Sequence, residues 1–123
     1  MGPPTAAIVE RAFRMGTAVP AFNVPYLPMM APIVEALQAT ETFGLIQVAR
    51  LEWTKFEARS LKAVRDEYAR VGDPRITRLH LDHVPVVDED GRRVEWEPIL
   101  AEAIALGYDS LKLEASRLPL EVN

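Results

Sequence analysis

Cysteine is absent from the 123 residues, which excludes disulfides and every thiolate metal site, so any metal must be held by His, Asp or Glu. A chain without thiols suits a reducing cytoplasm, the expected location. Long apolar runs are also missing, and none approaches the roughly 20 residues of a membrane span. The opening MGPPTAAIVERAF lacks the basic-then-apolar order of a signal peptide, and Ala6 stands where a myristoylation motif wants Ser or Thr. No basic stripe exists. The net charge of -4 and pI near 5.2 come from interspersed acids and bases, so neither nucleic acid nor a membrane surface is an expected partner.

What is present is ordinary for a folded domain: 49% apolar and 26% charged residues, enough for one domain over residues 1–123 with a modest core. Ile8, Val9, Ala12 and Phe13 share one face of a short entry helix, and Gly16 follows as its natural stop. Residues 17–24 read as a buried strand, after which Leu27, Met30, Ile33, Val34 and Leu37 form a helical stripe. The unit repeats. Residues 44–50 form a second strand, and Ala58, Leu61, Val64, Tyr68 and Val71 recur at helical spacing until Gly72, Asp73 and Pro74 break the pattern. A third strand spans 76–83, an excursion over 84–95 carries the turn Asp88-Glu89-Asp90-Gly91, and Trp96, Ile99, Leu100, Ala103 and Ile104 mark another helix. Residues 110–116 make a fourth strand.

Strands separated by helices call for parallel pairing through right-handed crossovers, which leaves a doubly wound sheet or a (β/α) barrel. Side-chain parity favours the barrel. Arg78, His80 and Asp82 oppose Leu79 and Leu81; Lys112 and Glu114 oppose Leu111 and Leu113; Gln47 and Ala49 oppose Ile46 and Val48; Ala21 and Asn23 oppose Phe22 and Val24. A doubly wound sheet is apolar on both faces, whereas a barrel packs one face under helices and turns the other inward, polar at its C-terminal mouth. The expected fold is therefore α/β, a partial TIM barrel of about four βα units. Asn23, Gln47, Asp82 and Glu114 would ring a common pocket. The chain shows no G-x-G-x-x-G or Walker loop after a strand, which argues against a nucleotide-binding domain.

Both histidines fall in His80-Leu81-Asp82-His83, at the end of a strand expected to be buried. Imidazoles and a carboxylate buried together are costly unless they bind metal, pair with one another or carry out chemistry. A satisfied polar network is the alternative. Catalytic zinc takes three protein ligands, and two histidines are too few for a three-imidazole site.

Gly16-x-Ala18-Val19-Pro20-Ala21-Phe22-Asn23-Val24 resembles the first strand of class II ketose-bisphosphate aldolases, a family that includes the fructose- and tagatose-bisphosphate enzymes. Leu45-Ile46-Gln47-Val48 resembles their second strand, and His80-Leu81-Asp82-His83 their HLDH signature. The run Ala103-Ile104-x-x-Gly107-Tyr108-x-Ser110 resembles the approach to strand four, and Ser116-Arg117-Leu118-Pro119-Leu120-Glu121 the segment after it. The resemblance implies a zinc-dependent lyase of carbohydrate metabolism that splits a sugar-phosphate substrate, a ketose bisphosphate, into dihydroxyacetone phosphate and an aldehyde. It makes His83 a zinc ligand, Asp82 the catalytic acid/base, Asn23 and Gln47 substrate contacts, His80 a supporting hydrogen-bond partner, and Glu114 a metal or network carboxylate. Ala49 replaces the family's phosphate-contacting Ser, and Glu114-Ala115-Ser116 replaces its Asp-Gly-Ser. Those departures keep open a second reading, a non-catalytic half-barrel used for assembly or binding.

A TIM barrel needs eight βα units and about 250 residues, so this sequence corresponds to the N-terminal half, with the remaining zinc histidines expected in a missing C-terminal half. A bare half exposes two sheet edges and an uncovered face, a hazard for association. The chain is expected to be one part of a longer or split enzyme, inactive alone, or to self-associate. Sedimentation should show species larger than a monomer; a monodisperse, well-folded monomer would contradict this.

Overall fold

A computed structural model of the chain describes residues 2–123. Helix α1 (Thr5–Arg14) leads into strand β1 (Ala21–Asn23), and a 3-10 turn (Leu27–Met29) into α2 (Met30–Ala39). Strand β2 (Gly44–Ala49) is followed by two helices, α3 (Arg50–Thr54) and α4 (Leu61–Val71). Strand β3 (Thr77–Pro85), helix α5 (Trp96–Ala105), strand β4 (Ser110–Glu114) and a final 3-10 turn (Leu120–Val122) complete the order.

All neighbouring strands pair in parallel, and the sheet order is β1-β2-β3-β4. This order settles the architecture. A doubly wound sheet reverses its strand order partway so that helices cover both faces, whereas an unreversed series of right-handed crossovers leaves every connecting helix on one side. The chain is an open α/β segment of four strands, a partial TIM barrel.

Parity divides the two faces. Ile46, Val48, Leu79, Leu81 and Val84 are buried against Val34 and Leu37 of α2, Leu61 and Val64 of α4, and Ala103 of α5. The other face carries Asn23, Gln47, His80 and Asp82. At the N-terminal ends of the strands, α1 is tied down by polar contacts: Asp109 accepts from the Thr5 backbone N–H at 2.8 Å and from the Thr5 hydroxyl, and Arg78 donates to the Pro3 carbonyl at 2.8 Å. After α5, Gly107 at φ 84° allows the N–H of Tyr108 to reach back to the Ala103 carbonyl at 3.0 Å, which turns the chain into β4.

Several boundaries differ from the sequence reading for physical reasons. Strand one is shorter than residues 17–24, although the Leu45 and Val24 N–H groups extend its ladder to Pro20 and Gln47. Strand two ends at Ala49, because Arg50 opens a helix, α3, outside the helical stripe of the sequence; that stripe becomes helix from Leu61, and Ala58 lies in the preceding loop, still fully buried. Strand three runs two residues further, to Pro85, and strand four stops at Glu114. The excursion is a small hairpin, with Val87 bridging Arg93 and the Val94 N–H donating to the Val86 carbonyl at 3.0 Å. The apolar face of α1 is not core, since Phe13 is 84% exposed and only Thr5 of that helix is buried.

Removing core volume beneath the polar face tests this layering. Leu81, fully buried between the sheet and its helices, should cost about 3 kcal/mol on replacement by Ala, within the usual span of about 2–5 kcal/mol. Urea unfolding measures it, and a loss below about 1 kcal/mol would mean that Leu81 does not face the helix layer.

Candidate active site

The register places Asn23 beside Gln47 and Gln47 beside His80, and puts Ala49 opposite Asp82. These residues lie at or near the C-terminal ends of parallel strands, on the face away from the helices. Gln47 spends both amide hydrogens within the site, donating to Asn23 Oδ1 at 2.7 Å and to Asp82 Oδ2 at 3.1 Å. Asn23 does likewise, donating to Asp82 Oδ2 at 3.4 Å and to Glu52 Oε2 at 3.3 Å. The two amide groups therefore offer a ligand acceptor oxygens and no free N–H. Asp82 is buried, takes these bonds on Oδ2, and has no protein partner on Oδ1 among the described residues.

His83 joins the group through an irregularity in the sheet. Leu81 pairs with Leu111 and Val84 with Leu113, so Asp82 and His83 together oppose the single residue Lys112, which is a β-bulge. His83 adopts φ 37°, a left-handed conformation uncommon outside glycine. The extra residue resets the alternation: Val84 returns to the core, and both Asp82 and His83 reach the mouth. His83 Nε2 lies 3.7 Å from Asp82 Oδ2 and Nδ1 lies 3.5 Å from Glu114 Oε1. Glu114 in turn accepts from the Ser116 hydroxyl at 2.5 Å. That hydroxyl, and then the His83 imidazole, hold the Glu114 carboxyl below its ordinary range against the opposing effect of burial.

The helix-hairpin wall beside the mouth is ionic. Asp88 of the excursion faces Arg50 of α3 at 3.4 Å, while Lys55 sits 2.8 Å from Asp90 and 3.0 Å from Glu89. Asp88 also accepts the N–H groups of Asp90 and Arg92 at 3.0 and 2.9 Å. These bonds make the acidic tract a braced corner, not merely a solvated turn. Between the hairpin and the strand ends lies a cavity of about 200 Å³ lined by Ala49, Leu51, His83, Pro85, Glu114 and Arg117, among others.

The fructose-bisphosphate aldolase class-II family model matches residues 4–123. The chain belongs to this family. No curated protein matches it significantly. Within an aldolase-family chain, the residues singled out from sequence fall into two groups. Asn23, Gln47, Asp82, His83 and Glu114 form one connected cluster. His80 stands apart, bonding through Nδ1 to the Ser110 hydroxyl at 2.7 Å.

The cluster differs from the sequence reading in two respects. His83 is not buried, since its side chain is 52% exposed, so it escapes the full desolvation cost inferred for a strand interior. The second is Glu52, which no sequence pattern marks. It is buried, and its Oε2 accepts from the Ala49 N–H at 2.6 Å as well as from Asn23. Its signal in sequence is faint, a Glu at the third position of a five-residue helix.

As to metal, two ligands on a tetrahedral zinc at about 2.0–2.1 Å stand about 3.3 Å apart, close to the 3.5 Å between His83 Nδ1 and Glu114 Oε1. The pair fits a shared cation. A group of three or more candidate ligands does not occur among the described residues.

Burial lowers the affinity of the His80 ring for a proton, with Lys112 adding to the effect and Asp82 opposing it. Because the folded pKa lies below the unfolded one, the stability this residue contributes is full above about pH 6.5 and is lost as pH falls through the folded value. An NMR titration of the His80 ring should give a midpoint below about 6.5; a midpoint above it would place the ring in a different environment.

Proposed function

We propose that this chain supplies the acid/base half of a metal-dependent aldolase site acting on a ketose bisphosphate, fructose- or tagatose-bisphosphate, and yielding dihydroxyacetone phosphate and an aldehyde. The observation that carries the reading is Asp82, a carboxylate fixed on one oxygen by two carboxamides and free on the other, beside His83, whose other ring nitrogen faces Glu114. A carboxylate so held can exchange a proton without swinging.

In the cleavage direction, Asp82 Oδ1 accepts the proton of the hydroxyl on the carbon that departs as the aldehyde. In condensation it returns that proton. Asn23 and Gln47, with their amide hydrogens already committed, receive hydrogen bonds from substrate hydroxyls. They are unsuited to phosphoryl oxygens, which need donors, and Ala49 brings no hydroxyl. Arg117, lining the adjoining cavity, is the cationic side chain positioned to receive a phosphoryl group. His80 supports the floor of the site through Ser110.

His83 and Glu114 would hold the zinc that family membership implies. When bound, zinc acts as a Lewis acid on the ketose carbonyl. Catalytic zinc takes three protein ligands, so a further ligand must come from beyond the described residues. The same need appears in the sheet, where β1 and β4 are unpaired edges and Leu113 is 41% exposed. The rest of a barrel, or a second copy of the chain, is the partner that would cover them. No helix among the described residues is long and apolar enough to cross a membrane, and a cytoplasmic location, which a chain without cysteine suits, is part of the proposal.

Zinc titration by calorimetry, paired with an assay of aldehyde release from fructose 1,6-bisphosphate, tests the proposal. The chain alone should bind zinc weakly and not turn over. His83→Ala should weaken binding by about 10-fold or more, while Asp82→Asn should leave it within a few-fold. Zinc affinity unchanged by His83→Ala would favour the non-catalytic half-barrel, consistent with Ala49 and Glu114-Ala115.

A further inference from the structure

The chain buries a carboxylate, Glu52, that the chemistry above does not use. Its residue exposure is 8%, and a buried charge requires partners. One partner is local. The N-cap of α3 is Ala49, whose side chain accepts nothing, and Glu52 satisfies the Ala49 N–H at 2.6 Å. Helix capping explains that bond. It does not explain the second, in which the same Oε2 accepts from Asn23 Nδ2, on a different strand, at 3.3 Å.

We infer that Glu52 is a positioning residue, anchoring the Asn23 carboxamide so that Asn23 and Gln47 hold Asp82 in one orientation. The inference rests on the reading of Asp82 as the acid/base. Asn23 Nδ2 is shared between two carboxylates, Glu52 and Asp82, and its Oδ1 receives Gln47. A flipped carboxamide would face both carboxylates with its own oxygen and meet the Gln47 amide with its NH2, so one orientation alone satisfies every partner. During a proton cycle Asp82 loses its charge and attracts the NH2 group less strongly. Glu52 takes no part in that cycle and keeps Asn23 in place throughout. The exposed position of Asn23, on a three-residue strand, makes such an anchor necessary.

The test is the ¹⁵N order parameter of the Asn23 side-chain NH2 in the 123-residue chain, its resonance identified by its loss in Asn23→Asp. In the unmodified chain it should be near the rigid limit of about 0.85, and in Glu52→Ala it should fall below about 0.6. The double variant Ala49→Ser with Glu52→Ala separates positioning from capping, because a serine N-cap restores a cap to α3 without giving Asn23 a partner. Its melting temperature should recover toward that of the unmodified chain while Asn23 stays mobile. Stiffening of Asn23 when the cap is restored, no change in Glu52→Ala, or a mobile Asn23 in the unmodified chain would each overturn the inference. The last needs no Glu52 variant and holds if Glu52→Ala fails to fold. None of these readouts involves aldol turnover, so failure here is distinct from failure of the aldolase reading.

Discussion

The bulge at Asp82-His83 is the constraint on which the site depends. A strand without it would alternate strictly, sending His83 under the helices with Leu81 and bringing Val84 to the mouth. Opposing two residues of β3 to Lys112 alone places the Asp82 carboxylate and the His83 imidazole side by side and keeps Val84 fully buried. The left-handed backbone of His83 costs about 1–3 kcal/mol, which the hydrogen-bonded strands and the packed Leu81 and Val84 on either side must offset. Strain of this kind collects at functional positions.

From that bulge a continuous polar chain extends across the sheet, from Glu52 through Asn23, Gln47 and Asp82 to His83, Glu114 and Ser116. Each member comes from a strand end or the segment just after one. Parallel register is what lets residues so far apart in sequence meet, because every strand delivers its C-terminal end to the same rim. The ionic corner between Arg50, Lys55 and the 84–95 hairpin then walls one side of the mouth, and the cavity beneath it adjoins His83 and Glu114.

Much of this was legible in the sequence because it obeys period-two alternation. Gln47 beside Ile46 and Val48, and Asp82 beside Leu81, show their faces without coordinates; the run of βα units was readable from spacing, and side-chain parity favoured a barrel over a doubly wound sheet. The HLDH stretch pointed to the family that the family model also matches. What stayed hidden violates periodicity or depends on distant partners. The bulge leaves no mark in His80-Leu81-Asp82-His83, since an extra residue in β3 is defined only against β4. Glu52 sits in a helix too short to give a pattern, so α3 left no stripe of its own beside the longer one through Leu61 and Val64. The apolar face of α1 was readable as a stripe, but amphipathicity does not say what covers the face.

The claim that matters most is that one imidazole, His83, is the metal-facing ring, with His80 turned to Ser110. Cobalt(II) in place of zinc makes the distinction visible, because ring protons of a coordinated histidine are displaced far outside the normal proton NMR range. One set of displaced imidazole signals is expected, absent in His83→Ala and retained in His80→Ala. Displaced signals that vanish in His80→Ala and survive in His83→Ala would contradict the assignment and the role given to the bulge.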